Sequence, residues 1–272
     1  MAKGDPALKR RILSAAVMLP VVLLCVVYDV WSFALLAAVM AILLAKEWRH
    51  LVGARSGQTA GDLAGMAAGG AALLVLIMAT MGWAELGLLV AFFCAFSSAI
   101  IAQLGNGAPF WTSIGVLYLS LPMLALVWLR AIPDVGLQVM LWLLMVVWAT
   151  DIMAYFVGRG LGGPRLAPSI SPGKTWSGLC GGMAGAAVAG ALVALATGPF
   201  RILPSLGLAA GLAVVAQMGD LAESALKRRA GVKDSSDLIP GHGGVLDRVD
   251  GLLFAAPVLA LAVAIARIQG WP

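Results

Sequence analysis

Charge is scarce in this sequence. Only 11% of the 272 residues are Asp, Glu, Lys or Arg, whereas 61% are hydrophobic, and the mean hydropathy is +0.98. A soluble domain of this length could not bury so much apolar surface, so the composition excludes an ordinary soluble protein. Apolar runs of about twenty residues recur, and they are continuous rather than alternating. We therefore predict an all-α polytopic integral membrane protein, because helices satisfy their own backbone hydrogen bonds in lipid.

Cysteine is scarce as well, with three residues in the chain. Cys25, Cys94 and Cys180 lie far apart, within or beside apolar segments, and lack the spacing of metal ligands. We interpret them as inert thiols in apolar surroundings, which excludes a thiolate metal centre.

Small residues recur at about four-residue spacing in one apolar segment. Gly178, Gly181, Gly182 and Gly185 are followed by Gly190. In a membrane this pattern is typical of closely packed helices, so we assign it a packing role and no catalytic one.

Nine membrane spans are predicted from the hydropathy of the sequence. The second is short, which indicates a tilted or partly interfacial segment. No soluble domain is predicted: residues 1–150 hold the N-terminal helices and residues 151–272 the C-terminal helices of one membrane domain. The predicted spans are Ile12–Tyr28, Trp31–Ala45, Leu63–Gly82, Glu85–Ala102, Thr112–Arg130, Val135–Gly158, Gly178–Gly198, Leu206–Ala222 and Leu252–Arg267.

The distribution of basic residues orients the chain. If the N-terminus is cytoplasmic, all 18 Lys and Arg residues lie on the inner side except Arg130, Arg201 and Arg267. This bias follows the positive-inside rule and, with an odd number of spans, predicts an external C-terminus. The first segment is long and lacks a clean cleavage site, so we interpret it as a retained signal anchor. We expect a bacterial inner-membrane protein with membrane lipids, and no nucleic acid, among its partners.

The charge that the sequence does have is concentrated near its C-terminal end. Eleven charged side chains lie between Asp220 and Asp250. Such a cluster beside apolar spans is costly unless a multivalent ligand binds there. Asp220, Glu223, Ser224 and Lys227 follow helical spacing, which places an acid, a hydroxyl and a cation on one stripe.

The carboxylates of this region indicate a site for Mg²⁺, which prefers oxygen ligands and retains waters and substrate phosphates. Asp247 and Asp250 stand three residues apart at the start of the ninth span, and Asp151 lies near the inner end of the sixth. The alternative is a set of internal salt bridges, for instance between Asp220 and Lys227, that only allows charge to remain in the helical bundle.

Cations beside these acids indicate a phosphate-bearing substrate, because a metal with a polyphosphate suits a site of mixed sign. Lys174 contacts either a phosphate or a buried acid, and the sequence leaves both interpretations open. The His242-Gly243-Gly244 segment either offers backbone N–H groups to an anion or forms an ordinary turn. The cations are Lys174, Lys227, Arg228 and Arg248.

Two motifs carry a family resemblance. The first is Ser224-Ala-Leu-Lys227-Arg228, followed by Lys233-Asp234-Ser-Ser-Asp237-Leu-Ile-Pro240-Gly-His242-Gly243-Gly244-Val-Leu-Asp247-Arg248-Val-Asp250. The second is Asp151-Ile-Met-Ala-Tyr155-Phe-Val-Gly158-Arg159 with Ser169-Ile-Ser171-Pro172-Gly-Lys174-Thr175-Trp-Ser177-Gly178. Together they resemble the signature of the phosphatidate cytidylyltransferases, or CDP-diacylglycerol synthases. The N-terminal half matches only in being a set of apolar helices.

The resemblance implies an enzyme that joins phosphatidic acid to CTP, giving CDP-diacylglycerol and pyrophosphate, and it favours a homodimer. It implies that Asp220 and Asp247 bind one Mg²⁺, with Asp250 as a further candidate ligand. The resemblance also implies that Asp151 holds a second cation, such as K⁺, or orients Arg159. The implied catalytic residues are Asp220, Asp247, Lys174 and Arg248. The implied substrate-binding residues are Ser169, Ser171, Thr175, Lys227, Arg228, His242, Gly243 and Gly244.

One position departs from the family pattern. The family commonly has Glu where this chain has Ser177, so that carboxylate is dispensable or its task falls to Glu223 or another acid here. Two other classes of protein stay open. One is an ion-coupled transporter, although the two halves show no matching interrupted helices. The other is an inactive family member with a structural role.

Overall fold

The computed structural model describes the backbone of residues 6–197, 202–239, 241 and 243–269, and the side chains from residue 14 onward in these ranges, except residue 15. This described part contains nine α-helices and one small antiparallel sheet, which confirms the predicted all-α class. The elements are α1 (Pro6–Tyr28), α2 (Val30–Ser56), α3 (Gln58–Thr80), α4 (Ala84–Leu104), α5 (Pro109–Arg130), α6 (Gly136–Leu161), β1 (Arg165–Ala167), β2 (Ser171–Thr175), α7 (Trp176–Thr197), α8 (Ile202–Ala230) and α9 (Leu246–Ile268).

Eight of the described helices, α2 to α9, are long and apolar enough to cross a membrane. The protein is therefore an integral membrane protein. The described apolar part of α1, Ala16–Tyr28, is shorter, so the count of nine spans stays a prediction.

The prediction of a short second span was wrong, because α2 has 27 residues. The charged residues after Ala45 continue the helix instead of ending it. Glu47 and Trp48 are buried on one face, whereas Lys46 and Arg49 are exposed on the other. An amphipathic end of this kind lets a helix leave the apolar region without breaking.

The predicted end of the eighth span at Ala222 was also too early. Helix α8 continues through the charged residues to Ala230 and carries Lys227, Arg228 and Arg229 in its last turn, where cations stabilise a helix C-terminus. Gly231 follows with φ of 75°, a left-handed conformation that glycine adopts at little cost and that ends a helix.

The chain divides into two compact units. Unit 1 comprises Met1–Trp128 and Leu226–Val249, and unit 2 comprises Leu129–Ala225 and Asp250–Pro272. In unit 1, helices α2 and α3 pack closely through glycine: a Cβ on Gly65 would lie 2.9 Å from the Ala45 carbonyl oxygen.

Unit 2 contains the glycine-rich helix α7 packed against α6. A Cβ on Gly178 would lie 2.9 Å from the carbonyl oxygen of Ala154, and one on Gly182 would lie 3.1 Å from that of Thr150. The predicted packing role of these glycines is therefore confirmed.

A β-hairpin precedes α7, between the predicted sixth and seventh spans. Its strands β1 and β2 pair Arg165 with Thr175 and Ala167 with Ser171. The turn between them contains Ser169, and the Ile170 amide donates to the Ala167 carbonyl oxygen. The hairpin gives Lys174 and Thr175 a fixed backbone at the entrance to α7.

Candidate active site

Three carboxylates meet where α8 and α9 run side by side in unit 2. Asp220 and Glu223 come from α8, and Asp250 comes from the first turns of α9. One oxygen of each lies within 4.8 Å of the others. Glu223 is 1% exposed, whereas Asp220 and Asp250 are partly exposed. Oxygen donors gathered at this spacing fit a hard cation such as Mg²⁺.

Two glycines allow this approach of α8 to α9. A Cβ on Gly219 would lie 2.5 Å from the carbonyl oxygen of Asp250 and 3.1 Å from the Cβ of Phe254. On the facing helix, a Cβ on Gly251 would lie 3.3 Å from that of Ala216. The two backbones are therefore closer than larger side chains would allow, and this closeness brings Asp220 and Asp250 together.

Lys174 on strand β2 provides the cation of this cluster. Its Nζ lies 2.5 Å from Oδ2 of Asp220 and donates to Oε1 of Gln217 at 2.8 Å. The side chains of Lys174 and Asp220 are 15% and 33% exposed, so the ion pair is partly shielded from water. Of the two sequence interpretations of Lys174, the structure shows the contact with an acid. Gln217 was missed, because an amide one turn before Asp220 carries no charge signal in the sequence.

A chain of hydroxyl groups fixes the junction between β2 and α7. The Gly178 amide donates to Oγ1 of Thr175 at 3.0 Å, and the Thr175 and Ser177 hydroxyls lie 3.0 Å apart. The Ser177 hydroxyl donates to the carbonyl oxygen of Gly162. Thr175 therefore caps the start of α7, and its predicted contact with phosphate or metal-bound water stays a prediction.

A second ion pair lies in unit 1. Nζ of Lys227, at the end of α8, is 2.5 Å from Oδ1 of Asp247, at the start of α9. The two side chains are 11% and 5% exposed. The internal salt bridge suggested from the sequence, Asp220 with Lys227, was wrong: Asp220 pairs with Lys174, and Lys227 pairs with Asp247.

The other oxygen of Asp247 accepts hydrogen bonds from the segment that leads into α9. The donors to Oδ2 are the Ser235 amide at 3.0 Å, the Ser235 hydroxyl at 2.9 Å and the Gly244 amide at 2.8 Å. The same segment contains Gly243, with φ of 82° and an isolated bridge to Ile239. Among the described residues of this segment, Ser235 and Gly244 therefore surround Oδ2 of Asp247 with three donor groups.

Glu47 on α2 is a site residue that sequence reasoning missed. It is 1% exposed, and its carboxylate accepts four hydrogen bonds from the segment 235–246. Glu47 lies in the N-terminal half, where the family resemblance is weak. In the sequence it is only an acid next to Lys46, and nothing there indicates a role in the site. Ser235 and Ser236 were also missed. They lie inside the first family motif, but nothing in the sequence assigned them a role.

The other predicted site residues lie as follows. Arg228 is exposed and donates to the carbonyl oxygen of Val232, which lies just beyond the end of α8. Arg248 and Asp151 are exposed, and Arg159, which Asp151 was predicted to orient, donates to the Tyr155 hydroxyl at 2.6 Å. Ser169 is exposed in the hairpin turn, and Ser171 begins β2. His242 lies outside the described residues.

The structure thus brings the predicted residues into two groups. Asp220, Asp250 and Lys174 meet in unit 2, and Asp247 meets Lys227 in unit 1. Because Asp220 and Asp247 belong to different units, their sharing of one Mg²⁺ stays a prediction. Glu223, weighed in the sequence as a substitute for the missing acid at Ser177, belongs to the carboxylate cluster.

These features define an integral membrane protein in which each of the two units carries acids paired with a cation. A model of the Cytidylyltransferase family matches residues 9–266, and the chain belongs to this family. It is 42% identical over 262 residues to the phosphatidate cytidylyltransferase of Brucella abortus biovar 1 (strain 9-941), covering 95% of this chain and 94% of that protein. It is 35% identical over 277 residues to the phosphatidate cytidylyltransferase of Pseudomonas aeruginosa, covering 97% and 98% of the two chains.

A further relative is similar over a shorter part of the chain. The phosphatidate cytidylyltransferase of Bacillus subtilis is 40% identical over 154 residues, which is 56% of this chain and 57% of that protein.

Proposed function

We propose that this protein transfers the cytidylyl group of CTP to phosphatidic acid, forming CDP-diacylglycerol and pyrophosphate. Family membership and the names of the relatives support this activity. The observation that carries it is the meeting of Asp220, Glu223 and Asp250 with the Lys174 ammonium group. Carboxylates with a cation at their edge suit a metal-bound polyphosphate, whereas a site of acids alone would suit a cation carrier.

Mg²⁺ is the cofactor that this donor set fits best. Asp220, Glu223 and Asp250 offer hard oxygen atoms within 4.8 Å of one another, and these three residues would hold the ion. When bound, Mg²⁺ neutralises charge on the phosphate oxygens and the leaving pyrophosphate. Glu223 then supplies the carboxylate that the family commonly carries at the Ser177 position. Asp247 stays a candidate ligand, and Asp151 stays a candidate for a second cation such as K⁺.

The reaction is an in-line displacement at the α-phosphorus of CTP. An oxygen of the phosphatidic acid phosphate forms the new P–O bond while the bond to the β-phosphate oxygen breaks, and pyrophosphate leaves with that electron pair. Because the nucleophile is already an anion, the chain needs no general base to remove a proton. Its residues bind and orient the phosphates.

Lys174 is placed to contact a phosphate without leaving its acid. Two of the three N–H groups of the ammonium donate to Asp220 and Gln217. The third N–H donates to a phosphate oxygen of the substrate. Lys227, Arg228, Arg248, Ser169, Ser171 and Thr175 complete the proposed contacts with the nucleotide and the lipid phosphate.

The setting of the reaction follows from the basic residues. A cytoplasmic N-terminus places Lys174 and Lys227 on the side where CTP is available, in a bacterial inner membrane. Phosphatidic acid reaches the same level from the inner leaflet. We further propose a homodimer, on the strength of the family resemblance alone.

The activity is tested by incubating the purified protein with CTP, MgCl₂ and phosphatidic acid in mixed micelles. We expect a lipid product that co-migrates with CDP-diacylglycerol and depends on all three additions. A second arm with diacylglycerol in place of phosphatidic acid shows whether the lipid phosphate is required. No lipid-linked cytidine in the complete mixture, with a protein that is folded by circular dichroism, would contradict the proposal.

A further inference from the structure

The carboxylate of Glu47 accepts four hydrogen bonds within unit 1. Oε1 accepts from the Ser236 hydroxyl at 2.5 Å and from the Val245 amide at 2.8 Å. Oε2 accepts from the Leu246 amide at 2.7 Å and from the Ser235 hydroxyl at 3.1 Å. All of these donors belong to the segment 235–246, which lies about 190 to 200 positions further along the chain.

A buried carboxylate needs such donors, because burial removes the water that would otherwise stabilise its charge. Glu47 is 1% exposed. Two of its donors, the amides of Val245 and Leu246, lead directly into α9, where an anion also gains from the dipole of the helix. Glu47 therefore ties the start of α9 to α2.

The same segment holds the Asp247 carboxylate. The Ser235 hydroxyl has one proton to donate, and its oxygen lies 3.1 Å from Oε2 of Glu47 and 2.9 Å from Oδ2 of Asp247, so the two acids share this donor. Gly244 donates its amide to Asp247, and a Cβ on Gly244 would collide with Ser235 Oγ and Glu47 Oε1. These hydrogen bonds and the tight packing at Gly244 fix the position of Asp247 relative to Glu47. They thereby also fix the ion pair between Asp247 and Lys227.

We propose that Glu47 is a positioning residue for the reaction: it anchors the segment 235–246 and thereby holds Asp247 and Lys227 in their working geometry. This assignment rests on the proposed cytidylyl transfer. Glu47 itself touches no substrate, because its two oxygens are enclosed by four protein donors. Its effect passes through Ser235 and through the amides that precede Asp247.

Two substitutions change this anchor in different ways. Glu47→Gln keeps the size of the side chain but replaces one acceptor oxygen by an NH₂ group, which faces donors and cannot accept from them. Glu47→Asp keeps the charge and both acceptors but shortens the reach by one carbon. The amide variant should therefore free the segment, whereas the shorter acid should retain part of the anchor.

The test combines kinetics with amide hydrogen exchange on the full-length protein in detergent. For Glu47→Gln we expect kcat per folded molecule to fall roughly 100-fold, the loss typical of a misplaced reacting group, with the KM for CTP changed less than about 3-fold. Exchange in peptides that cover 235–246 should accelerate. Glu47→Asp should recover activity to within roughly 10-fold of the unaltered protein.

Leu44→Ala is the matched control, because Leu44 is 1% exposed on the same helix and its truncation weakens packing while leaving the four hydrogen bonds of Glu47 in place. It should lower the melting temperature while leaving kcat per folded molecule and the exchange of 235–246 unchanged. Ser236→Ala removes one donor to Glu47 and none to Asp247, so it should lower kcat less than Ser235→Ala does.

Two results would overturn the proposal. Faster exchange of 235–246 in Glu47→Gln with unchanged kcat would make Glu47 a structural anchor only. A loss of kcat with unchanged exchange would show that Glu47 acts by another route. If the unaltered protein makes no CDP-diacylglycerol, the proposed function fails, and the exchange arm still decides whether Glu47 anchors the segment.

Discussion

The ammonium nitrogen of Lys174 lies 2.5 Å from a carboxylate oxygen of Asp220, which joins strand β2 to helix α8. This contact has two consequences. It holds the hairpin against α8 through side chains that are 15% and 33% exposed, and it places a cation at the edge of the carboxylate cluster. A single residue therefore contributes both to stability and to the chemistry we propose.

Lys174→Ala should lower both activity and stability. Its removal leaves Asp220 without its ion-pair partner and Gln217 without its donor, and because the pair is partly exposed, the loss in stability should be about 1–3 kcal/mol rather than the larger value of a fully buried pair. Turnover of CTP should fall at least about 100-fold. Lys46→Ala, which removes an exposed cation from α2, is the control and should change neither. An unchanged melting temperature for Lys174→Ala would show that the ion pair does not form in solution.

Gly219→Ala should separate α8 from α9 and disrupt the carboxylate cluster. The added methyl group would meet the Asp250 carbonyl oxygen at 2.5 Å, and backbone cannot move aside as a flexible side chain can. We expect a loss of about 1–3 kcal/mol in stability together with most of the activity. The control is Gly211→Ala on the same helix, where nothing lies within 4 Å of the new Cβ. It should be neutral or stabilising, because alanine is the better helix former. Equal effects from both variants would refute the close approach.

Glu223→Gln and Asp250→Asn should weaken Mg²⁺ binding. Each removes one charged oxygen donor from the cluster, so the MgCl₂ concentration for half-maximal activity should rise roughly 10-fold or more. A direct measurement uses Mn²⁺ as a paramagnetic probe of binding to the protein without substrates. Glu85→Gln, an exposed acid in the first turn of α4, is the control and should bind Mn²⁺ normally. Unchanged Mn²⁺ affinity in both variants would remove the cluster as a metal site.

The orientation in the membrane is open to cysteine labelling in intact cells. The three native cysteines are first replaced by alanine, since Cys180 is exposed. A cysteine at Gln269, after α9, should then react with an impermeant maleimide, whereas one at Asp237 should react only after the cells are permeabilised. Asp237 is preferred to Ser236, whose hydroxyl is bound to Glu47. The opposite labelling pattern would refute both the odd number of spans and the cytoplasmic site.

Hydrophobicity and charge were enough to predict most of the fold. The helices are long apolar runs, and each predicted span corresponds to a helix, because lipid leaves the backbone few alternatives. The errors are in the predicted ends of two helices, at the points where charged residues follow the apolar run. Helices α2 and α8 continue well beyond Ala45 and Ala222, since one face stays packed while the other carries the charge. Hydropathy averages both faces and therefore ended these helices too early.

The acids of the carboxylate cluster and the Lys174 and Lys227 cations were named from the sequence, whereas Glu47, Gln217 and the pairings were not. Helical spacing put Asp220, Glu223 and Lys227 on one stripe, and the structure joins Glu223 to the cluster with Asp220. In the structure, Lys227 pairs with Asp247 and Lys174 pairs with Asp220. Spacing along a single helix cannot indicate such pairs, because their members lie on different elements. Glu47 shows the limit most clearly, because its partners lie nearly 200 positions away and only the fold brings them together.

The central claim, cytidylyl transfer to phosphatidic acid, is tested most directly by following the phosphates of CTP separately. With CTP labelled at the α-phosphorus, the label should enter the lipid phase; with CTP labelled at the γ-phosphorus, it should appear in pyrophosphate in equal amount. Both should stop in Asp220→Asn. Release of γ-label as inorganic phosphate, with no α-label in the lipid, would mean hydrolysis without transfer and would contradict the account.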